Sequence, residues 1–343
     1  VLDQLNEFLR PYGVFFAPNL SPSSRATLGG MINTDACGKG SRVYGRTSDH
    51  LLELSCLLSN GEELHSVPLN PKELTDWKEA SGRTGDVYRV VDEIVCRQAE
   101  LIEEVFPKMS RFMTGYNLAR VYSNDQRPVF NLNYLLAGSE GTLAVVHEAK
   151  LRLTPLPAFQ ELIVVKYESF DDALRAAGIL VQSDPTAIET VDEKILGLAR
   201  EDEIYHKVKD FVADEGSRPT RTINLVEFSG NEKSVVSAKV DQLAKIIHER
   251  KEISGEATGF YRTDIPEEIR DLWNLRKKGV GLLGNTKGQR KPIPFVEDTA
   301  VPPENLAAYI REFRDLLESF GLEYAMFGHV DVGCLHAVSY THL

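Results

Sequence analysis

Apolar strands and amphipathic helices alternate on a short cycle through the second half of the chain. The run ELIVVKY, residues 161–167, is almost entirely apolar and predicts a buried strand. The segment 169–183 repeats apolar residues at helical spacing and predicts a helix. Further strands are predicted at 186–191, 222–228 and 257–262. Further helices are predicted at 231–251 and 302–321, and a polar helix is predicted up to about residue 214. This rhythm predicts an α+β sandwich of the ferredoxin-like kind.

The first half has a different pattern. Leu2, Leu5 and Leu9 predict a short amphipathic helix, and residues 50–67 predict a hairpin turning at an Asn-Gly pair. Residues 86–106 predict one long amphipathic helix. Because Pro155 and Pro157 punctuate the chain, we place a domain boundary beside them. The predicted domains are residues 1–156 and 157–336.

Composition narrows the class of protein. The 343 residues are 42% hydrophobic and carry a formal net charge of −12, which argues against a nucleic-acid-binding protein. No window approaches the roughly 20 apolar residues of a membrane-spanning helix. The four cysteines form no CxxC pair, which argues against a zinc ribbon or an iron–sulfur cluster in this chain. Scattered thiols favour a reducing cytoplasm, with two disulfides as the open alternative.

Two glycine-rich segments are the strongest candidates for a ligand site. The first, residues 26–50, contains Gly29, Gly30 and Gly38, and the second, GSEGTLAVV, runs from 138 to 146. Glycine frees backbone amides to approach an anion or a flat ring. A long loop that needs positive φ is the alternative. Neither the P-loop pattern GxxxxGK[ST] nor the dinucleotide pattern GxGxxG is present.

Together these segments resemble the FAD-binding domain of the vanillyl-alcohol oxidase-type (PCMH-type) flavoproteins, in the D-lactate and D-2-hydroxyglutarate dehydrogenase branch. The resemblance covers nearly the whole chain and is strongest to long bacterial chains fused to an iron–sulfur module. It implies the second half of a PCMH-type FAD-binding domain followed by a ferredoxin-like α+β substrate (cap) domain. It also implies flavin contacts, which are Gly29, Gly30, Asn33, Thr34, Gly38, Ser139, Glu140, Gly141 and Thr142.

The family also has an earlier glycine-rich pyrophosphate loop that would precede Val1. The resemblance therefore implies a fragment, and we expect residues 1–343 alone to bind FAD weakly or not at all. The tail AVSYTHL, residues 337–343, does not continue the family pattern and is interpreted as foreign sequence.

A basic cluster within residues 272–302 is a second candidate site. A solvated loop is one interpretation, and an anion pocket is the other. The resemblance implies that Arg276 and Lys291, fifteen positions apart, bind the substrate carboxylates. Val280 replaces a family threonine, so one polar contact is lost.

His329 and His336 bracket a glycine turn and are candidate metal ligands. A structural role for each histidine is the alternative. The resemblance implies that both hold a divalent, zinc-like ion near the substrate hydroxyl, so His329 is also a predicted catalytic residue. Val332 and Cys334 depart from the family consensus at this turn. The family's third ligand, a glutamate, and its proton-abstracting histidine would follow Leu343.

The resemblance implies an FAD-dependent dehydrogenase that oxidises a D-2-hydroxy acid, with D-2-hydroxyglutarate or D-lactate as substrate. Electrons would leave to an iron–sulfur module, a 4Fe-4S cluster of the full-length chain, or to a quinone. The predicted location is the cytoplasm, with peripheral attachment to the inner membrane left open. Three alternatives remain: an oxidase, an ether-lipid synthase of the same fold, and a non-catalytic remnant that binds FAD or a partner.

Overall fold

The chain divides into two compact units, Val1–Leu156 and Pro157–Leu343, in the computed structural model. The structure describes residues 1–112, 115–123, 128–284 and 291–341. It describes the backbone alone for residues 280, 282–284, 291–295, 297, 298 and 339–341.

The first unit builds its core around a three-stranded antiparallel sheet. Its strands are β1 (Val14–Phe15), β2 (Leu51–Leu57), β3 (Glu63–Ser66), β4 (Val145–Leu151) and β5 (Thr154–Pro155). The sheet order is β3-β2-β4, while β1 and β5 form a separate antiparallel pair. The predicted hairpin is therefore present, with β2 and β3 joined at Gly61, whose φ of 84° only glycine adopts readily.

The first unit also contains seven described helices, most of them short. They are α1 (Leu2–Leu9), α2 (Leu28–Asn33), α3 (Ser41–Tyr44), α4 (Pro71–Glu79), α5 (Gly82–Arg97), α6 (Ala99–Val105) and α7 (Asn133–Leu136). The prediction of one long helix over 86–106 is wrong, because the helix is interrupted at Gln98, which lies between α5 and α6. Apolar spacing continued across the break, so periodicity alone did not show it.

The second unit is built on one antiparallel sheet of seven described strands. These are β6 (Phe159–Tyr167), β7 (Ala187–Val191), β8 (Thr222–Gly230), β9 (Gly259–Thr263), β10 (Lys291–Ala300), β11 (Glu323–His329) and β12 (Cys334–Thr341). Their order is β10-β12-β11-β7-β8-β6-β9. The part β7-β8-β6-β9 has the ferredoxin-like order, so the predicted α+β architecture is confirmed, with three further strands added beside β7.

Helices cover both faces of this sheet. They are α8 (Phe170–Gln182), α9 (Glu193–Ala199), α10 (Tyr205–Val208), α11 (Lys233–Arg250), α12 (Pro266–Gly284) and α13 (Leu306–Ser319). One apolar core lies between the sheet and α8, α11 and α13, and the other between the sheet and α9, α10 and α12. Double coverage explains why β6 is apolar along its length: alternate residues enter opposite cores, with Ile163 in one and Leu162 in the other.

Two details of the second unit differ from the sequence prediction. The polar helix expected up to residue 214 is two short helices, α9 and α10. The first part of the basic segment, residues 272–284, belongs to α12 rather than to a surface loop, and Lys291 begins β10. No described helix is long and apolar enough to span a bilayer.

Candidate functional site

The two glycine-rich segments are joined directly by backbone hydrogen bonds within the first unit. The amide of Gly138 donates to the carbonyl of Ile32 at 2.9 Å, and the amide of Glu140 donates to the carbonyl of Asn33 at 2.8 Å. The close approach favours glycine, because Gly138 has a φ of 75° and a Cβ there would lie 3.2 Å from the Cβ of Asp35, a tight contact. The end of α2 and the turn before β4 therefore form one continuous surface.

This surface is open and lined by small groups. Gly30, Thr34, Glu140, Gly141 and Thr142 are all exposed. A Cβ added to Gly141 would meet no atom within 4 Å, and the same is true of Gly29. Gly141 also has a φ of 75°, which side-chain-bearing residues rarely adopt. The geometry suits a flat or extended ligand that presses against the backbone.

Most amides in these segments already have a partner within the protein. The amide of Gly30 donates to Thr27 Oγ1 at 3.1 Å, and the amide of Thr142 donates to the carbonyl of Ser139 at 3.0 Å. Gly38 is buried under the carbonyl of Asn19, where a Cβ would approach to 2.1 Å, and Ser139 is also buried. Gly38 and Gly138 thus have a packing role in addition to any contact with a ligand.

In the second unit, a buried carboxylate joins two of the predicted site residues. Glu189 in β7 is 2% exposed, and its Oε2 accepts from Arg276 Nε at 3.0 Å and forms an ion pair with Nη2 at 2.9 Å. Its Oε1 bonds His329 Nδ1 at the end of β11. Because β7 and β11 are neighbours, with His329 directly opposite Glu189, the sheet register sets this contact.

An aromatic ring completes the surroundings of Arg276. The guanidinium carbon lies 4.4 Å from the ring centre of Phe327, two residues before His329 on the same strand. Residues two apart on a strand lie on the same face of the sheet, so the side chains of Phe327 and His329 both point toward α12. Arg276 is 5% exposed, which rules out the interpretation of this residue as part of a solvated loop.

The two histidines lie side by side. The ring centres of His329 and His336 are 5.4 Å apart, and the rings are nearly perpendicular. The turn between β11 and β12 brings them together through Gly333, whose φ of 67° is left-handed. The carboxylate on Nδ1 of His329 leaves Nε2 as the ring nitrogen for a metal. Among the residues that the structure describes, no group of three His, Cys, Asp or Glu side chains could hold a metal ion.

The charges around Glu189 hold it ionised. Burial by itself would raise the pKa of this carboxyl, but His329 and Arg276 outweigh burial and lower the pKa to about 2. The negative charge therefore persists across the neutral range. It balances one permanent cation, which is the arrangement that makes a buried charge tolerable.

The remaining predicted residues are only partly covered. Lys291 begins β10 opposite Thr341 on β12, and its side chain lies outside the described part, as does that of Val280. Lys287 and Arg290 of the basic cluster fall in 285–290, outside the described residues. β12 pairs with β11 through Tyr340 and with β10 at Thr341, and the foreign origin of 337–343 stays a prediction.

A second buried carboxylate in this unit predicts a pH effect on stability. Asp192 caps α9 by accepting from the amide of Ile195 at 2.9 Å, and it accepts from the amide of Met326 at 2.6 Å. Burial raises the pKa of this carboxyl to about 6, against the opposing effect of both amides.

Because the folded pKa exceeds the unfolded value, ionising Asp192 costs folding free energy between about pH 4 and 6. We expect the stability of Asp192→Asn relative to wild type to rise as pH increases from 4 to 6, and to be constant above. Chemical denaturation across this pH range measures the difference. A difference that is flat or falls over the same interval contradicts the pKa.

Sequence reasoning missed Glu189 and Phe327. The signal for Glu189 was a lone carboxylate inside the apolar strand TAIETV, since a charged residue in a buried strand requires a partner. Phe327 had no signal beyond an aromatic residue on a predicted strand.

Comparisons with known families agree with this architecture. Residues 156–342, more than half of the chain, match the family described as FAD linked oxidases, C-terminal domain. Residues 1–66 match the family described as FAD binding domain. These matches support FAD as the cofactor and confirm the resemblance to FAD-linked flavoproteins.

Relatives that cover nearly all of this chain are much longer than it is. A D-2-hydroxyglutarate dehydrogenase of Pseudomonas putida is 52% identical over 336 residues, which are 98% of this chain and 33% of that protein. The D-2-hydroxyglutarate dehydrogenase of Escherichia coli is 48% identical, again over 98% of this chain and 33% of the relative. The chain thus spans about a third of the length of the curated relatives it matches.

Solved structures share the fold at low identity. An alkyldihydroxyacetonephosphate synthase aligns with a TM-score of 0.61 at 16% identity, covering 98% of this chain and 55% of that one. A p-cresol methylhydroxylase with substrate bound aligns with a TM-score of 0.59 at 11% identity, covering 100% of this chain and 60% of that one. At this identity the likeness shows the fold alone. Through the match that covers most of its second unit and more than half of its length, the chain belongs to the FAD linked oxidases.

Proposed function

We propose that this chain is the flavin- and substrate-binding part of an FAD-dependent dehydrogenase that oxidises a D-2-hydroxy acid to the 2-oxo acid. The observation that carries the proposal is the 46–52% identity, over 98% of the chain, to proteins named D-2-hydroxyglutarate dehydrogenase. D-2-hydroxyglutarate is therefore the first substrate to test, and D-lactate the second.

The open surface of the first unit would hold FAD. Gly29, Gly30, Asn33 and Thr34 would contact it from α2, and Glu140, Gly141 and Thr142 from the turn before β4. Gly38 and Ser139 would support that surface from beneath. One side-chain atom here calls for a ligand: Asn33 Oδ1 is buried and accepts no hydrogen bond from the described residues. FAD, when bound, supplies the acceptor for the hydride that leaves the α-carbon of the substrate.

Arg276 would bind the substrate carboxylate. Its guanidinium forms a planar donor fork, and Glu189 occupies only one edge of that fork. Lys291 would add a second positive charge. A dicarboxylate needs two cationic contacts, so the pair favours a substrate such as 2-hydroxyglutarate over a monocarboxylate.

His329 and His336 would contribute two nitrogen ligands to a divalent, zinc-like ion. Such an ion supplies Lewis acidity toward the α-hydroxyl of the substrate. The role of this chain would be to fix the His329 ring through Glu189 and to hold the substrate carboxylate on Arg276, so that the hydroxyl and the α-carbon have one orientation. A 4Fe-4S module or a quinone would receive the electrons, and the protein would act in the cytoplasm.

The decisive experiment follows the flavin spectrum. The full-length protein, loaded with FAD and zinc, is mixed anaerobically with D-2-hydroxyglutarate or D-lactate. We expect loss of the oxidised flavin absorbance with the D enantiomer and none with the L enantiomer. If no D-2-hydroxy acid reduces the bound flavin, the proposed function is wrong. Peroxide release in air would favour the oxidase alternative instead.

A glycine substitution tests the flavin surface. Gly141→Ala places a methyl group in the space assigned to FAD, and we expect the affinity of the apoprotein for FAD to fall about tenfold, since overpacking costs roughly 1–3 kcal/mol. Titration of the full-length apoprotein with FAD measures it.

The matched control is Gly61→Ala. Gly61 also has a positive φ and open space around its Cβ, but it lies in the β2–β3 turn. Equal losses of FAD affinity in the two variants would show that backbone strain, and not flavin contact, explains the effect.

A further inference from the structure

The Glu189 carboxylate contacts two side chains with different proposed roles, namely Arg276, the substrate-carboxylate anchor, and His329, a metal ligand. Glu189 binds the guanidinium of Arg276 with one oxygen and the imidazole of His329 with the other. Arg276 and His329 lie on different elements, α12 and β11, and reach Glu189 from sequence separations of 87 and 140 residues. The carboxylate is therefore a junction between distant parts of the second unit.

Arg276 has little freedom left at this junction. Glu189 occupies the edge formed by Nε and Nη2, and the Phe327 ring lies against the face of the guanidinium. The opposite edge, formed by Nη1 and Nη2, is the one that can receive a ligand carboxylate. Such a fork is bound in a single orientation before any ligand arrives, which lowers the entropy cost of binding.

His329 is fixed in the same way. With Glu189 on Nδ1, the ring is oriented and Nε2 is directed away from the carboxylate. A carboxylate partner on the second ring nitrogen also raises the basicity of a metal-binding imidazole. The His336 ring, 5.4 Å away, completes the pair.

We propose that Glu189 is a positioning residue that sets the carboxylate anchor, Arg276, and the metal ligand, His329, in one fixed relation. The inference rests on the proposed function and adds a residue to it. Glu189 itself would contact neither the substrate nor the metal, because Arg276 and His329 occupy its two oxygens. Loss of the Glu189 carboxylate should therefore weaken substrate binding and metal binding together.

The test compares Glu189→Gln with the same substitution at another buried, arginine-paired carboxylate in the same sheet. Glu161 on β6 is 4% exposed, and its Oε2 accepts from Arg262 Nε at 2.9 Å and forms an ion pair with Nη2 at 2.7 Å. Glu161→Gln therefore removes a buried carboxylate with an arginine partner, although Arg262 itself is partly exposed and also pairs with Asp241. Both variants, together with Glu189→Asp, are made in the full-length protein. Three quantities are measured: zinc affinity by chelator competition, KM and kcat for D-2-hydroxyglutarate, and the thermal unfolding midpoint.

We expect Glu189→Gln to weaken zinc binding about 10- to 100-fold and to raise KM about tenfold or more. Glu189→Asp, which keeps the charge on a shorter side chain, should recover part of both losses. Glu161→Gln should lower the unfolding midpoint while leaving zinc affinity and KM near wild type. The inference is supported if Glu189→Gln weakens zinc binding and raises KM together while Glu161→Gln changes neither.

Two results would overturn it. In one, Glu189→Gln is destabilised like Glu161→Gln but keeps wild-type zinc affinity and KM. In the other, only one of the two binding events changes, which removes the coupling. If the wild-type protein binds zinc but no D-2-hydroxy acid reduces its bound flavin, the proposed function is wrong. The Glu189 inference is then decided on its metal side by zinc affinity, where an unchanged value rejects it.

Discussion

Arg276→Ala is expected to lower kcat/KM for D-2-hydroxyglutarate by about a hundredfold or more in the full-length protein, mainly through KM. The side chain is the buried guanidinium held between Glu189 and Phe327. Its removal deletes the proposed partner of the substrate carboxylate. It also leaves Glu189 buried with only the His329 contact, so we expect the free energy of unfolding to fall by about 3–5 kcal/mol.

The activity and stability effects of Arg276→Ala can be separated. Arg262→Ala removes the arginine of the Glu161 pair, which is partly exposed, and should cost stability without a large change in KM. Arg276→Lys keeps the charge but loses the planar fork, so we expect an intermediate KM. Kinetics are measured at a temperature where each variant is folded. A KM for Arg276→Ala equal to that of Arg262→Ala would remove Arg276 from the substrate site.

Gly333→Ala is expected to disrupt the turn that brings His329 and His336 together. Gly333 has a φ of 67°, and a Cβ there would lie 1.8 Å from the carbonyl oxygen of Val301. That atom belongs to the backbone and cannot swing away, since Val301 donates its own amide to the carbonyl of Gly333 at 3.0 Å. Left-handed strain and overpacking together predict a loss of about 2–5 kcal/mol.

Hydrogen exchange followed by mass spectrometry measures this effect locally. Peptides from β11 and β12 should lose protection in Gly333→Ala, and zinc affinity should fall with it. Gly178→Ala is the control, because Gly178 is an exposed position within α8 where a Cβ meets nothing within 4 Å. That variant should be neutral or more stable by about 0.5–1 kcal/mol. Wild-type protection of β11 and β12 in Gly333→Ala would contradict the tight contact between Gly333 and the carbonyl of Val301.

The strands of the second unit could be predicted because their signal is local. β6, β7, β8 and β9 are short apolar runs bounded by polar residues, and each covers the segment expected from sequence within a few residues. Helix α12 was missed for an equally local reason. Its apolar residues Leu272 and Leu275 are buried, but glycines and a basic run among them resemble the composition of a loop.

The candidate site could be predicted only in part. Arg276 was identified through the family resemblance, and the two histidines through their spacing together with that resemblance, whereas Glu189, the common partner of Arg276 and His329, was not identified. Glu189 has no motif around it, and its role depends on residues far along the chain. Tertiary pairing of this kind leaves no periodic trace in the sequence, apart from the unusual charge in an apolar strand.

The position of β7 in the sheet has a consequence for biosynthesis. Its outer side pairs with β11, which the ribosome produces long after β7 itself. Until Phe327 and His329 have left the exit tunnel, a nascent second unit carries β7 as a bare edge, with unpaired amides and carbonyls and an uncovered carboxylate. We expect this interval to be the stage at which the growing polypeptide most needs a chaperone, and ribosome-stalled chains ending near residue 322 to associate with one another more readily than chains released after residue 341.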